Sequence, residues 1–216
     1  MFRTESIVAG VLFITATGAT MVSQVIVAPI LEGVHVTASL AGREAAFTFG
    51  VLLEIANALA SAGIAIAFFP ILWACVRGLA VAYAGLRTIE ASTGIAAAVG
   101  LLMLFSAETA ATGLVWHDRA FLVVLLVFST STFVLYPTLY VFRLVPRVLS
   151  VWGLIGGLML MVSVVLILFG TIEIGAGTDT LLSLPIWINE MALALWLIFR
   201  GVDMSAVPVE RPGGSR

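Results

Sequence analysis

Six apolar runs, each about twenty residues or longer and separated by short polar connections, decide what this chain can fold into. They fall at about 7–28, 46–73, 79–105, 120–142, 151–170 and 181–199. In hydrocarbon every backbone N–H and C=O must be satisfied within the segment, and an α-helix of such a run does this alone. The expected fold is therefore all-α, a polytopic transmembrane bundle of six spans. Composition agrees: 62% of residues are hydrophobic and 10% charged, with a mean hydropathy of +1.19, against about a quarter charged in soluble domains. Six spans within 216 residues leave room for one membrane domain over 1–203 and a tail over 204–216. That tail carries Pro208, Pro212 and Gly213-Gly214 and is expected to be disordered. A cleaved signal peptide is the rival reading of the first run, which exceeds the ~7–15 residues of an ordinary signal core.

Orientation follows from the arginines, since the chain has no lysine. The head, the 2–3 turn, the 4–5 turn and the tail hold seven: Arg3, Arg77, Arg143, Arg147, Arg200, Arg211 and Arg216. The opposite connections hold two, Arg43 and Arg119. Positive residues stay inside, so both termini are expected in the cytoplasm of a cell (inner or plasma) membrane. The net charge of −2 carries no basic surplus, which removes nucleic acid as a partner and leaves membrane lipids. Cys75 is the lone cysteine, so no intrachain disulfide and no cysteine-built metal site is expected. His35 and His117, read in outer connections, form no cluster with metal-ligand spacing and are expected at the surface. The sequence calls for neither a metal nor a cofactor.

The third run holds the charges that need explaining. Tyr83, Arg87, Glu90 and Gly94 share one stripe at helical spacing, and Arg87 and Glu90 lie near mid-span. Charges there are costly unless they face a partner, a cavity or water. Glu54 in the second run and Glu190 in the sixth reach comparable depths at ~1.5 Å per residue, so these four are the candidate catalytic residues. Three carboxylates against one guanidinium is a surplus, and at least one glutamate is expected to be neutral, with a proton available for acid–base work. Asn57, Tyr83, Tyr136, Tyr140 and Asn189 are candidate ligand contacts. The run Ser129-Thr130-Ser131-Thr132 either lines a polar path or returns its hydrogen bonds to the helix backbone. Glu54-Ile55-Ala56-Asn57-Ala58-Leu59 echoes Glu190-Met191-Ala192-Leu193-Ala194-Leu195, a hint that Glu54 and Glu190 face each other.

Several stretches together carry a family resemblance: Leu52-Leu53-Glu54, Tyr83-Ala84-Gly85-Leu86-Arg87-Thr88-Ile89-Glu90, Leu144 through Leu154, and Leu184-Pro185 through Gly201. The chain resembles, over roughly residues 5–203, a family of small bacterial and archaeal membrane proteins known only as a domain of unknown function with about six transmembrane helices. The resemblance implies the six-span layout and brings no activity with it.

Three functions fit these residues. The first is a membrane-embedded acid–base enzyme acting on an apolar lipid or isoprenoid-like molecule. The second is a proton-coupled small-solute carrier, for which six short spans have room for two opposed gates only as a homodimer. The third is an accessory membrane subunit whose charges lock helices together. An enzyme requires an apolar cavity open toward lipid or one leaflet, whereas a carrier requires polar residues reaching both faces.

Overall fold

The computed structural model describes residues 2–31 and 39–207. Six helices long and apolar enough to cross a membrane account for nearly all of it: α1 Arg3–Leu31, α2 Glu44–Cys75, α3 Arg77–Leu102 extended by a 3₁₀ turn Met103–Phe105, α4 Ala110–Val141, α5 Arg147–Leu168 and α6 Gly177–Phe199. This is a multi-pass membrane protein. Its outward faces stay apolar, with Val25, Ile66, Val81, Leu181 and Phe199 among the exposed side chains, as a bundle solvated by lipid requires.

Each helix packs on its neighbours in sequence, and α6 returns to pack on α1. The six therefore close into an up-down ring with the start of α1 and the end of α6 at one end of the bundle, called here the terminus end, and the 2–3 and 4–5 turns beside them. The ring is clasped there. Arg3 donates from Nη2 to the carbonyls of Ile198 (2.7 Å) and Phe199 (3.2 Å) and from Nη1 to that of Leu197 (3.4 Å). These are the carbonyls a helix end leaves unpaired, and a cation suits the negative end of the α6 dipole. Close by, Gly10 lies so near α6 that a Cβ would stand 2.6 Å from the Ala194 carbonyl. Arg3→Ala is expected to cost about 1–2 kcal/mol, read as a lower thermal unfolding midpoint in detergent.

At the far end a close backbone seam joins α3 to α4. A Cβ on Gly100 would lie 2.8 Å from the Gly113 carbonyl and from the His117 nitrogen, the close backbone approach that small residues permit between membrane helices. Asp179 pins α6 to α5 at the same end. Its carboxylate accepts from Ser163 Oγ (2.7 Å), the Gly175 N–H (2.8 Å) and Ser183 Oγ (3.2 Å).

The helices outrun the apolar runs that announce them. α4 starts at Ala110, ten residues before position 120, so Trp116, His117, Asp118 and Arg119 are helical and not a connection. α6 likewise takes in Asp179. Pro29 and Pro70 lie inside α1 and α2, which run on to Leu31 and Cys75; a proline near a helix end removes only one ladder bond. Residues 201–207 fold back on the terminus end: the Asp203 N–H donates to the Leu144 carbonyl (2.9 Å) and Val207 is buried. The rest of the expected tail, 208–216, lies outside the described residues, as does His35.

Candidate functional site

The stripe on α3 turns inward. Tyr83, Arg87 and Glu90 are 1%, 2% and 7% exposed, because facing lipid would leave a guanidinium and a carboxylate unsatisfied. Arg87 Nη1 donates to both Glu90 oxygens, at 2.8 and 2.9 Å. Ser61 Oγ on α2 donates to Glu90 Oε1 at 2.7 Å. The guanidinium also lies over three rings, those of Phe13 (5.8 Å), Tyr83 (5.7 Å) and Phe128 (5.4 Å). Residues from α1, α3 and α4 thus cage one cation.

Glu190 is spared from this pair. Its Oε2 accepts from Thr17 Oγ1 on α1 at 3.1 Å, and it joins Arg87, Glu90, Ser61 and Asn57 on the wall of a cavity of about 370 Å³. The other walls are mostly apolar: Ala16, Met21 and Val25 from α1, Phe121, Val124, Leu125 and Phe128 from α4, and Leu184 and Trp187 from α6. Met21, Val25 and Leu184 are also exposed on the outer surface, which places the mouth between α1 and α6. Those two helices touch at Gly10 and are joined by Thr17 and Glu190; the mouth lies farther from the terminus end, where Leu184 and Val25 stand.

Toward the terminus end the interior is filled. Phe13, Phe68, Ile71, Leu72, Tyr83, Tyr136, Leu139 and Leu197 belong to one buried cluster. Where this cluster meets the cavity, the Tyr83 hydroxyl and the Arg87 Nε are buried without a hydrogen-bond partner. Tyr136 packs against Gly153 of α5, where a Cβ would collide with the ring.

Of the residues singled out from sequence, Arg87, Glu90, Glu190 and Asn57 meet in the cavity, and Tyr83 lies beneath Arg87. Glu54 goes elsewhere. It accepts from Ser23 Oγ (3.4 Å) on α1, and its Oε2 is 3.8 Å from His117 Nδ1 on α4, which also lies 3.2 Å from the Ala97 carbonyl. His117 is 4% exposed, a correction to its expected place at the surface, caused by α4 continuing upstream. Glu54 and Glu190 therefore belong to two polar groups, and the sequence echo does not bring them face to face. Tyr140 is 39% exposed beneath the Arg147 guanidinium, and Asn189 points at α5, donating to the Leu149 carbonyl at 2.9 Å; neither lines the cavity.

Ser129, Thr130, Ser131 and Thr132 all donate to carbonyls three or four residues back on α4, at 2.6–2.9 Å, and build no polar path. Sequence reasoning missed Thr17 and Ser61, and placed His117 at the surface. Ser61 had a signal: Glu54, Asn57 and Ser61 are spaced three and four apart and share one face of α2. Thr17, a lone hydroxyl in an apolar run, had none. Among the described residues, His, Cys, Asp and Glu do not gather in threes as a metal centre would need.

No curated protein and no solved structure matches the chain. The family described as Domain of unknown function (DUF4386) matches residues 8–201, which is most of the chain and takes in every residue of the cavity and of the Glu54–His117 pair. With six apolar helices and this match, the chain belongs to the DUF4386 family of membrane proteins.

Proposed function

We propose that this protein is a membrane-embedded acid–base enzyme acting on an apolar, lipid-dissolved molecule of isoprenoid-like character, which enters between α1 and α6. The observation carrying this reading is that Glu190 faces an apolar cavity while Arg87 is already matched by Glu90. The one guanidinium at the site is neutralised within α3, so Glu190 has no cation to balance and is the carboxyl that would hold a proton. About 370 Å³ lies within the ~300–1,000 Å³ usual for small-molecule sites.

In this mechanism the Glu190 carboxyl delivers its proton to a substrate double bond. A C–H bond forms, positive charge develops on the adjacent carbon, and Glu190 is left as carboxylate. The rings of Phe121, Phe128 and Trp187 line the space where that charge would sit, and aromatic faces attract cations. Loss of a proton from a neighbouring carbon back to Glu190 restores the acid and yields an isomer or a ring with no other reactant. Arg87 and Glu90, held by Ser61, fix the field around the acid.

The filled terminus end weighs against a carrier, which needs polar residues toward both faces. A packing lock accounts for the Thr17–Glu190 bond but not for the apolar cavity beside that carboxyl. The seven-to-two split of arginines supports placing the terminus end in the cytoplasm and the mouth in the opposite half of the bilayer.

Mass spectrometry of apolar molecules that co-purify with the protein tests the proposal. Wild type should carry a ligand that Thr20→Trp, which fills the cavity from α1, loses. Glu190→Gln should retain it while turnover of that ligand falls roughly 10²–10⁴-fold. A ligand held equally by wild type and Thr20→Trp, or by neither, would overturn it.

A further inference from the structure

The terminus end carries a second, unrelated feature around the start of α5. The 4–5 turn and the chain after α6 enclose a depression of about 670 Å³ lined by Arg143, Arg147, Arg200, Trp196 and Asp203, among others. None of the three arginines meets a carboxylate among the described residues. The one acid of the pocket, Asp203, is engaged by Ser205, whose N–H donates to Oδ1 at 2.9 Å and holds that carboxyl below the ordinary carboxylate value. It stays ionised, so the pocket has an unbalanced charge of +2, three guanidiniums less one carboxylate. α5 begins at Arg147 with no side-chain cap, so its free N–H groups and positive dipole end add to the same field.

Two apolar grooves leave this depression, one on each side of α5. The first, of about 450 Å³, shares Arg147 with it and continues along Val151, Trp152 and Ile155 beside Tyr140. The second, of about 480 Å³, shares Pro146, Trp196 and Arg200 and continues along Leu149, Ala192 and Leu195. The Arg147 guanidinium is set over the Tyr140 ring, 5.1 Å from its centroid. Arg143 holds φ at +54, a left-handed position that glycine normally fills at a helix end. A positive depression continuous with two apolar channels matches a molecule with one anionic head and two chains.

We propose that the terminus end binds one anionic phospholipid astride the start of α5, its phosphate among Arg143, Arg147 and Arg200 and its two acyl chains in the flanking grooves. Charge complementarity selects the head, and the paired grooves distinguish a diacyl lipid from a soluble phosphate.

Native mass spectrometry of the detergent-purified full chain, titrated with dioleoyl-phosphatidylglycerol, dioleoyl-phosphatidylcholine or glycerol 3-phosphate, tests this. One phosphatidylglycerol should bind about tenfold or more tightly than phosphatidylcholine. The double substitution Arg143→Gly/Arg200→Gln should lower that affinity roughly 10–30-fold. Glycine suits the left-handed backbone at position 143, so this variant keeps its thermal midpoint. Ala192→Trp, which blocks one groove, should weaken phosphatidylglycerol independently of charge, and Arg119→Gln at the far end should change nothing. Equal binding of phosphatidylcholine, retention of phosphatidylglycerol by the double variant, or its displacement by equimolar glycerol 3-phosphate would each overturn the proposal.

Discussion

Glu90→Ala is expected to destabilise the protein by about 3–5 kcal/mol, the usual cost of leaving one member of a buried ion pair alone. Arg87 is 2% exposed and ringed by Phe13, Tyr83 and Phe128, so losing Glu90 leaves a buried guanidinium without the two bonds it makes to that carboxylate. Glu90→Gln should cost less, because an amide oxygen still accepts from Arg87 and Ser61. Glu190 is the other carboxyl on the cavity wall. Glu90→Ala combined with Glu190→Gln should therefore lose more than the sum of the two single changes. By contrast, Arg87→Met/Glu90→Leu removes both charges and should come out close to wild type. Unfolding in a mixed micelle measures all five, the Glu190→Gln single variant included; a loss below about 1 kcal/mol for Glu90→Ala would show that Arg87 does not depend on this partner.

Gly100→Val has the second large effect. The new Cβ would stand 2.8 Å from the Gly113 carbonyl and the His117 nitrogen and 3.0 Å from the His117 Cα. These are backbone atoms of α4, which cannot swing aside as a side chain would, so the two helices must separate. Overpacking usually costs ~1–3 kcal/mol, and this rigid contact belongs at or above the top of that range. Gly85→Val is the control, since nothing lies within 4 Å of the Cβ it adds; its unfolding free energy should stay within about 0.5 kcal/mol of wild type. If Gly100→Val were equally mild, the close α3–α4 seam would be wrong.

The number of helices was legible because membrane spans advertise themselves by length and hydropathy, and all six runs became helices. Their ends were not. α4 begins among Thr112, Trp116, Asp118 and Arg119, residues that hydropathy reads as a connection but that are exposed on a helix near the edge of the apolar band. With that boundary went His117, which faces Glu54 from a position one would assign to water. On α3 the charges could be placed together because spacing along one helix fixes a shared face. Which helices become neighbours is not written in any one helix. The ring seats α6 against α1, so Glu190 finds Thr17, while Glu54 finds Ser23 and His117.

The grouping of Arg87, Glu90 and Ser61 bears on how the chain is made. All three belong to α2 and α3, which pack directly on each other. The third span can thus enter the bilayer with its guanidinium neutralised by its own glutamate and by the preceding hairpin, before translation reaches the second half of the sequence. Glu190 arrives last, and Arg3 must wait for Phe199 to leave the ribosome before the ring can shut. Translation order therefore makes the Arg87–Glu90 pair available before Glu190, and a nascent chain truncated before α6 would insert with that pair formed yet without the second carboxyl of the cavity.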